Sequence, residues 1–215
     1  SSKEAQKYIA DLKGWDYFAD PAKKGQTLYS IWFAETAESI WRELMDQGAP
    51  VVRPNNYQTI ALMRDTPEDA VFDVHMAAGI QTAQYHVQVG FDSLLVAMKK
   101  WEAEEGDYGW ADYKKTTIQH LVPTFKAFSV PDVYTGGGAG ILNATGPRHG
   151  ASWRMVVEMG PTIKAFGIYP GGQSGNPGSK FYDNFIPIWA KGDYVDFGLK
   201  KKEDQKGILF KTILN

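Results

Sequence analysis

Cysteine is missing from all 215 residues, which excludes disulfides and Cys-ligated metal sites and leaves the redox compartment open. Long apolar runs are missing too. No stretch approaches the roughly 20 residues that a membrane-crossing helix needs, and the chain opens without the apolar core of an export leader. Charge excess of either sign is absent: 23 Lys+Arg against 25 Asp+Glu give a formal net charge of -2. That balance offers no basic stripe for nucleic acid, and Lys200-Lys201-Lys202 is too short to make one, so it reads as a solvated loop. Histidine is scarce. His75, His86, His120 and His149 show no HExxH-type spacing, so neither a metal nor a cofactor is expected, and most of them read as ordinary hydrogen-bonded or exposed residues. There is no internal repeat or low-complexity segment.

What the chain does have is apolar content, 43% overall with 13% aromatics, enough for a substantial core. Up to about residue 125 the periodicity is helical. Leu28, Ile31, Trp32, Ile40, Trp41, Leu44 and Met45 recur at three- and four-residue steps, predicting a helix over about 25–47 that Gly48 ends. The stretch 49–64, with Pro50, Pro54 and Asn55-Asn56, reads as a loop. Thr66-Pro67-Glu68-Asp69 reads as the start of a second long helical region, whose stripe Val87, Phe91, Leu94, Leu95, Met98 and Trp101 stops at Gly106.

Beyond 125 the period becomes that of strands. Ser152–Met159 alternates Trp153, Met155, Val157 and Met159 with Ser152, Arg154 and Glu158, predicting a half-buried strand; Gly160-Pro161 turns the chain into an antiparallel partner over Ile163–Ile168. Ile186, Ile188 and Trp189 belong to a short helix, and Ile208–Leu214 reads as a terminal strand. The expected fold class is therefore α+β, with a helix-rich segment 1–125 and a β-rich segment 126–215 forming one structural unit.

Two glycine-rich runs invite chemical readings that their spacing refuses. Gly172-Gln173-Ser174-Gly175 lacks the paired glycines of a serine-hydrolase elbow, so Ser174 reads as part of a tight loop, in which Gly171, Gly172 and Gly175 permit positive φ. Gly136-Gly137-Gly138-Ala139-Gly140 lacks GxGxxG spacing, a Lys-Ser/Thr ending and a following helix, which excludes a phosphate cradle. Tyr182, Asp183, Arg148 and Arg154 are candidates for polar ties between loops.

These motifs also occur together in an informative order. Gly172-Gln173-Ser174-Gly175, Asn176-Pro177, Tyr182-Asp183 and Trp189-Ala190-Lys191-Gly192-Asp193-Tyr194 follow one another, after the strand Gly150–Glu158 and the run Gly136–Ala144; further upstream stand Trp110, His120-Leu121-Val122-Pro123 and the Trp15-Asp16 turn. This series resembles the C-terminal part of the catalytic subunit of the penicillin acylase (penicillin amidase) family over most of the chain. The resemblance implies part of an N-terminal-nucleophile αββα sandwich and hydrolysis of an N-acylated amide, of the β-lactam side-chain or acyl-homoserine lactone type. It also implies an extracytoplasmic, periplasmic setting.

In that family the attacking group is the first residue of a mature subunit, at the start of a strand, with its own α-amino group as base, and both it and the oxyanion-hole residues lie upstream of the region that this chain resembles. Ser1 and Ser2 instead lead into the helix-favouring Lys3–Leu12, so no catalytic residue is expected in this chain. The expectation is a C-terminal piece, inactive alone, whose partners are the rest of the same precursor and a small amide substrate. Gly172, Gln173, Ser174 and Gly175 would support the site from behind. His120, Asn143, Tyr182 and Asp183 are candidate structural or site-lining residues, His120 as a buried ring bridging backbone groups. Many family members carry an aspartate where this chain has Gly140, which leaves substrate preference open. The competing reading is a non-enzymatic module whose tyrosines and tryptophans recognise a glycan or peptide. The two differ in exposed apolar surface, which a piece of a larger enzyme should show and a self-sufficient module should not.

Overall fold

The computed structural model describes residues 3–46, 52–74 and 79–198, together with 207 and 212. The strand expected at Ile208–Leu214, the stop at Gly48, and Ser1, Ser2, His75 and Lys200–Lys202 lie outside those residues. The chain divides into two compact units, Ser1–Tyr113 and Lys114–Asn215. That boundary falls earlier than residue 125, because Thr116–Ile118 is already a strand whose partner lies at Val130–Val133.

The first unit is helical: α1 Lys3–Lys13, α2 Lys24–Asp46, α3 Asn56–Asp65, α4 Ala83–Glu104 and most of α5 Trp110–Lys114. The stripes expected on α2 and α4 meet. Leu28, Ile31, Leu94 and Met98 close one core cluster with Tyr8 of α1 and Tyr108. Ala37, Ile40 and Trp41 close another with Phe72 and Ala83. At the α2–α4 crossing Gly90 lies so close to Thr36 that a Cβ there would stand 2.2 Å from the threonine hydroxyl, so only glycine permits this approach.

Two expectations fail between the long helices. The predicted loop contains α3, whose start is a capping box: Asn55 Oδ1 accepts from the Gln58 amide at 2.9 Å, and Gln58 Oε1 accepts from the Asn55 amide at 3.0 Å. Asn55-Asn56, read as part of a loop, is thus a helix start. Thr66, read as an N-cap, ends α3 instead, its amide donating to the Leu62 carbonyl at 3.0 Å; the long helix begins later, after Thr82.

The second unit carries β1 Thr116–Ile118 paired antiparallel with β2 Val130–Val133, and a three-stranded antiparallel sheet of β3 Arg154–Glu158, β4 Lys164–Ile168 and β5 Val195–Asp196 in the order β3-β4-β5. The helix expected around Trp189 is α6, Ile186–Lys191. Val133, Ile168, Ile186 and Trp189 form the core. β3 and β4 pair from Arg154↔Ile168 to Glu158↔Lys164, so residues 159–163 join them, a longer connection than the two-residue turn expected. Helices followed by antiparallel strands make the chain α+β.

The half-burial expected of β3 is absent. Met155 is 52% exposed and Val156, on the opposite face, 50%, while Trp153, Val157 and Met159 are exposed too. Alternation fixes which side chains share a face, but burial needs a second layer, and among the described residues of β3 only Arg154 is half-buried. β3 also stands at the end of its sheet, with its second edge unpaired there.

Candidate functional site

Two arrangements in the second unit gather most of the residues singled out in the sequence. The first is a cleft of about 520 Å³ lined by His120, Val122, Phe128, Tyr169, Tyr182, Ile186 and the loop Gly171–Gly175. The loop is fixed by backbone bonds: the Ser174 amide donates to the Phe181 carbonyl at 3.0 Å, and the Phe185 amide to Gly171 O at 2.9 Å. Ser174 Oγ accepts from the Asn176 amide at 3.1 Å, which closes a local turn. The glycines differ in their reasons. Gly171 has φ +112°, whereas Gly172 is required by proximity, since a Cβ there would stand 2.0 Å from Phe181 O. Gly175 meets neither condition. Gln173 is exposed.

His120 sits half-buried against the rings of Phe125, Phe128 and Tyr182, with centroids at 5.5, 6.0 and 6.3 Å. Its Nδ1 lies 3.0 Å from the Val122 amide nitrogen and 3.3 Å from the Val122 carbonyl oxygen, so the ring is tied to the backbone of its own loop. The expected fully buried ring is therefore half-open, because the loop 119–128 packs aromatic rings on it without closing over it. Tyr182 donates to the Phe128 carbonyl at 2.8 Å and ties that loop to the glycine loop. Asp183 is exposed, and it contributes its backbone carbonyl to the Ile186 amide at 2.9 Å rather than a side chain to the cleft.

Asn143 belongs to the second arrangement. Arg154 Nη2 donates to Asn143 Oδ1 at 2.7 Å and Nη1 to the Trp189 carbonyl at 2.8 Å, while the guanidinium stacks 4.8 Å from the Trp189 ring centroid. A guanidinium can only donate, so the Asn143 atom facing it is the oxygen, and the amide NH₂ is left to donate elsewhere. Burial pushes the Arg154 guanidinium below its ordinary range, with Tyr194 acting in the opposite sense.

The backbone around Asn143 is held by a residue that the sequence reading passed over. Lys114 is only 4% exposed, and its Nζ donates to Thr135 O at 2.9 Å, Gly136 O at 2.6 Å, Gly137 O at 3.3 Å and Thr145 Oγ1 at 2.6 Å. Burial pushes its pKa down to about 8, which leaves it charged at neutral pH. The glycine run thus turns carbonyls, not amides, toward its guest, which is the polarity of a cation seat. No sequence signal marks Lys114: in Tyr113-Lys114-Lys115 it looks like its solvated neighbour.

In the first unit, His86 is fully buried; its Nε2 donates to the Phe72 carbonyl at 2.8 Å and its Nδ1 lies 2.8 Å from Ser39 Oγ, a bridge between helices. Among the described residues no group of three or more His, Asp or Glu side chains is placed to hold a metal.

Comparison with known proteins gives this geometry its setting. Acyl-homoserine lactone acylase QuiP of Pseudomonas syringae pv. tomato is 35% identical over 80 residues, which cover 34% of this chain and 10% of that protein. The protein of the same name from Pseudomonas aeruginosa is 43% identical over 44 residues, 20% of this chain and 5% of its own length. A thermostable penicillin G acylase from Alcaligenes faecalis aligns with 100% of this chain and 43% of its own, at a TM-score of 0.48 and 13% identity. The chain thus spans less than half of that solved structure, and its matched segments a tenth or less of the curated relatives. The penicillin amidase family model matches residues 1–206, and the chain belongs to that family.

Proposed function

We propose that this chain forms part of an amidohydrolase that cleaves an N-acyl amide through an N-terminal nucleophile carried on other polypeptide, and that Asn143 is its contribution to the chemistry. Acyl transfer at an amide builds negative charge on the carbonyl oxygen, and a donor fixed beforehand at that oxygen lowers the barrier. Asn143 has one element of that construction: its oxygen is held by Arg154 at 2.7 Å, so only its NH₂ can turn toward a reacting carbonyl. This pinned amide is the observation that carries the reading. The nucleophile would attack the amide carbonyl, Asn143 would donate to the developing oxyanion, the C–N bond would break with the amine leaving on the nucleophile's proton, and water would then release the acyl group as the acid.

The exposed apolar side chains of β3 support further polypeptide in the working enzyme. Trp153, Met155, Val156, Val157 and Met159 are all at least 40% exposed on one five-residue strand and its flanks, an apolar surface that a self-sufficient module would cover. The same observation weighs against a glycan- or peptide-binding module. The curated relatives, named for acyl-homoserine lactones, make those the first substrates to try, with penicillin G as the second.

The test is hydrolysis by the enzyme assembled with its nucleophile-bearing portion, following release of homoserine lactone and fatty acid by mass spectrometry. Asn143→Ala should lower kcat about 10²–10³-fold, with the assembly intact by size-exclusion chromatography. Unchanged kcat in that variant removes Asn143 from the chemistry. The assembled wild type turning over neither class of amide sinks the reading as a whole.

A further inference from the structure

Asn143 is held from two sides by two cations, and only one of them touches it. Arg154 fixes the side chain directly. Lys114 acts on the backbone: its amino group collects three consecutive carbonyls, Thr135, Gly136 and Gly137, plus the Thr145 hydroxyl, which itself donates to Gly136 O at 2.7 Å. The segment so gathered is the one against which Asn143 lies. The Gly138 amide donates to Asn143 O at 3.1 Å, and a Cβ on Gly137, whose φ is +83°, would stand 2.2 Å from that same oxygen. A glycine in the left-handed region is thus required where the two strands of the loop touch.

An ammonium has three hydrogens, and four oxygens converge on this one, so its placement is determined on several sides at once. Carbonyl oxygens gathered on one point repel one another unless a donor sits among them. The loop 135–145 therefore has no reason to keep this shape without the amine.

We propose that Lys114 is a positioning residue, the internal template on which the loop 135–145 folds, and that shortening it leaves a site for a short primary alkylammonium ion. The consequence for Asn143 rests on the acyl-transfer reading above; the template itself does not. Lys114→Ala removes Cγ to Nζ, the atoms of n-propylammonium, so that ion is the matched probe.

The first measurement is amide hydrogen exchange in this chain, read by mass spectrometry. Lys114→Ala should speed exchange in peptides covering 135–146 by about tenfold or more, the equivalent of at least one lost hydrogen bond, while peptides of α4 keep their rates. Saturating n-propylammonium should restore protection, whereas tetramethylammonium, equally charged but without N–H, should not. Thr145→Val, which removes one of the four acceptors without emptying the site, should give the same footprint at smaller size and decides the matter if Lys114→Ala does not fold.

In the assembled enzyme, Lys114→Ala should lower kcat with KM little changed, and n-propylammonium should recover kcat. Unaltered exchange in both variants, or equal rescue by tetramethylammonium, overturns the template. Loop protection that responds as expected beside a wild type without amidase activity overturns the catalytic reading and leaves the template standing.

Discussion

Lys114 makes a pH prediction whose sign runs against the usual intuition about a lost charge. The folded pKa is about 8, below the roughly 10.4 of a free lysine. Between those values the unfolded chain holds a proton that the folded chain has released, so the free energy of unfolding rises with pH through that window. The full linkage is about 3 kcal/mol, of which roughly 2 falls between pH 7 and 9.5. The gain comes from relief of desolvation, and the neutral amine still has two hydrogens for the carbonyls. Tyr8 and Tyr108 act oppositely. Burial and the hydrogen bonds to Glu102 and Asp11 raise both phenols, so they stay protonated in the fold while unfolded tyrosine ionises, and stability falls above about pH 10. Urea unfolding at steps from pH 7 to 9.5 separates the two, and Lys114→Met supplies the reference. The wild type should gain stability relative to that variant by roughly 2 kcal/mol across the range; parallel curves would refute the buried-ammonium argument.

Other perturbations have simpler readouts. Arg154→Lys replaces a fork that reaches both Asn143 Oδ1 and Trp189 O with a single point, and should cost about 1.5–3 kcal/mol in urea unfolding. Gly172→Ala drives a Cβ to 2.0 Å from Phe181 O, so the glycine loop must open, seen as faster exchange at the Ser174 amide and a loss of about 2 kcal/mol or more. Tyr182→Phe removes the 2.8 Å bond to Phe128 O and should cost about 1 kcal/mol in the same unfolding assay.

How far the chain could be read in advance depended on what kind of information each feature needs. The α2 and α4 stripes and the β3–β4 pairing are written in local periodicity; α2, β3, β4 and the end of α4 appear within a few residues of their expected bounds, while α4 starts well after the Thr66 expected to open it. Asn55 shows the limit of local signals, since one asparagine side chain serves a turn or a helix cap, and Gln58 three residues on decides between them. Burial of β3 was misjudged because alternation records a face and not its cover. Asn143 and Arg154 are each visible as polar candidates, but their pairing across 11 residues is a product of the fold, which brings Arg154 of β3 to Asn143 and to the Trp189 carbonyl of α6. Lys114 was invisible for a deeper reason: a buried lysine differs from a solvated one only in what surrounds it, and its partners are backbone oxygens that carry no residue identity.

That last point also explains the glycine run. Gly136–Gly140 was excluded as an anion cradle on its spacing, and the geometry supplies a physical ground as well. A peptide segment exposes amides on one side and carbonyls on the other, and which side faces inward depends on the guest. Here the guest is Lys114, the first residue of the second unit, and its charge selects the carbonyl side. The glycines are then needed for reach rather than for binding: Gly137 must adopt φ +83° with no Cβ so that Asn143 can close the loop from above. One prediction separates this account from simple loop flexibility. Gly140→Ala, at φ +78° in open space with no atom within 4 Å, should cost only the backbone strain of about 1 kcal/mol. Gly137→Ala, at nearly the same φ but pressed on Asn143, should cost several times more, and should disorder the 135–146 amides as Lys114→Ala does. Equal losses at the two glycines in urea unfolding would mean that backbone angle alone sets the loop and that its closeness to Asn143 contributes nothing.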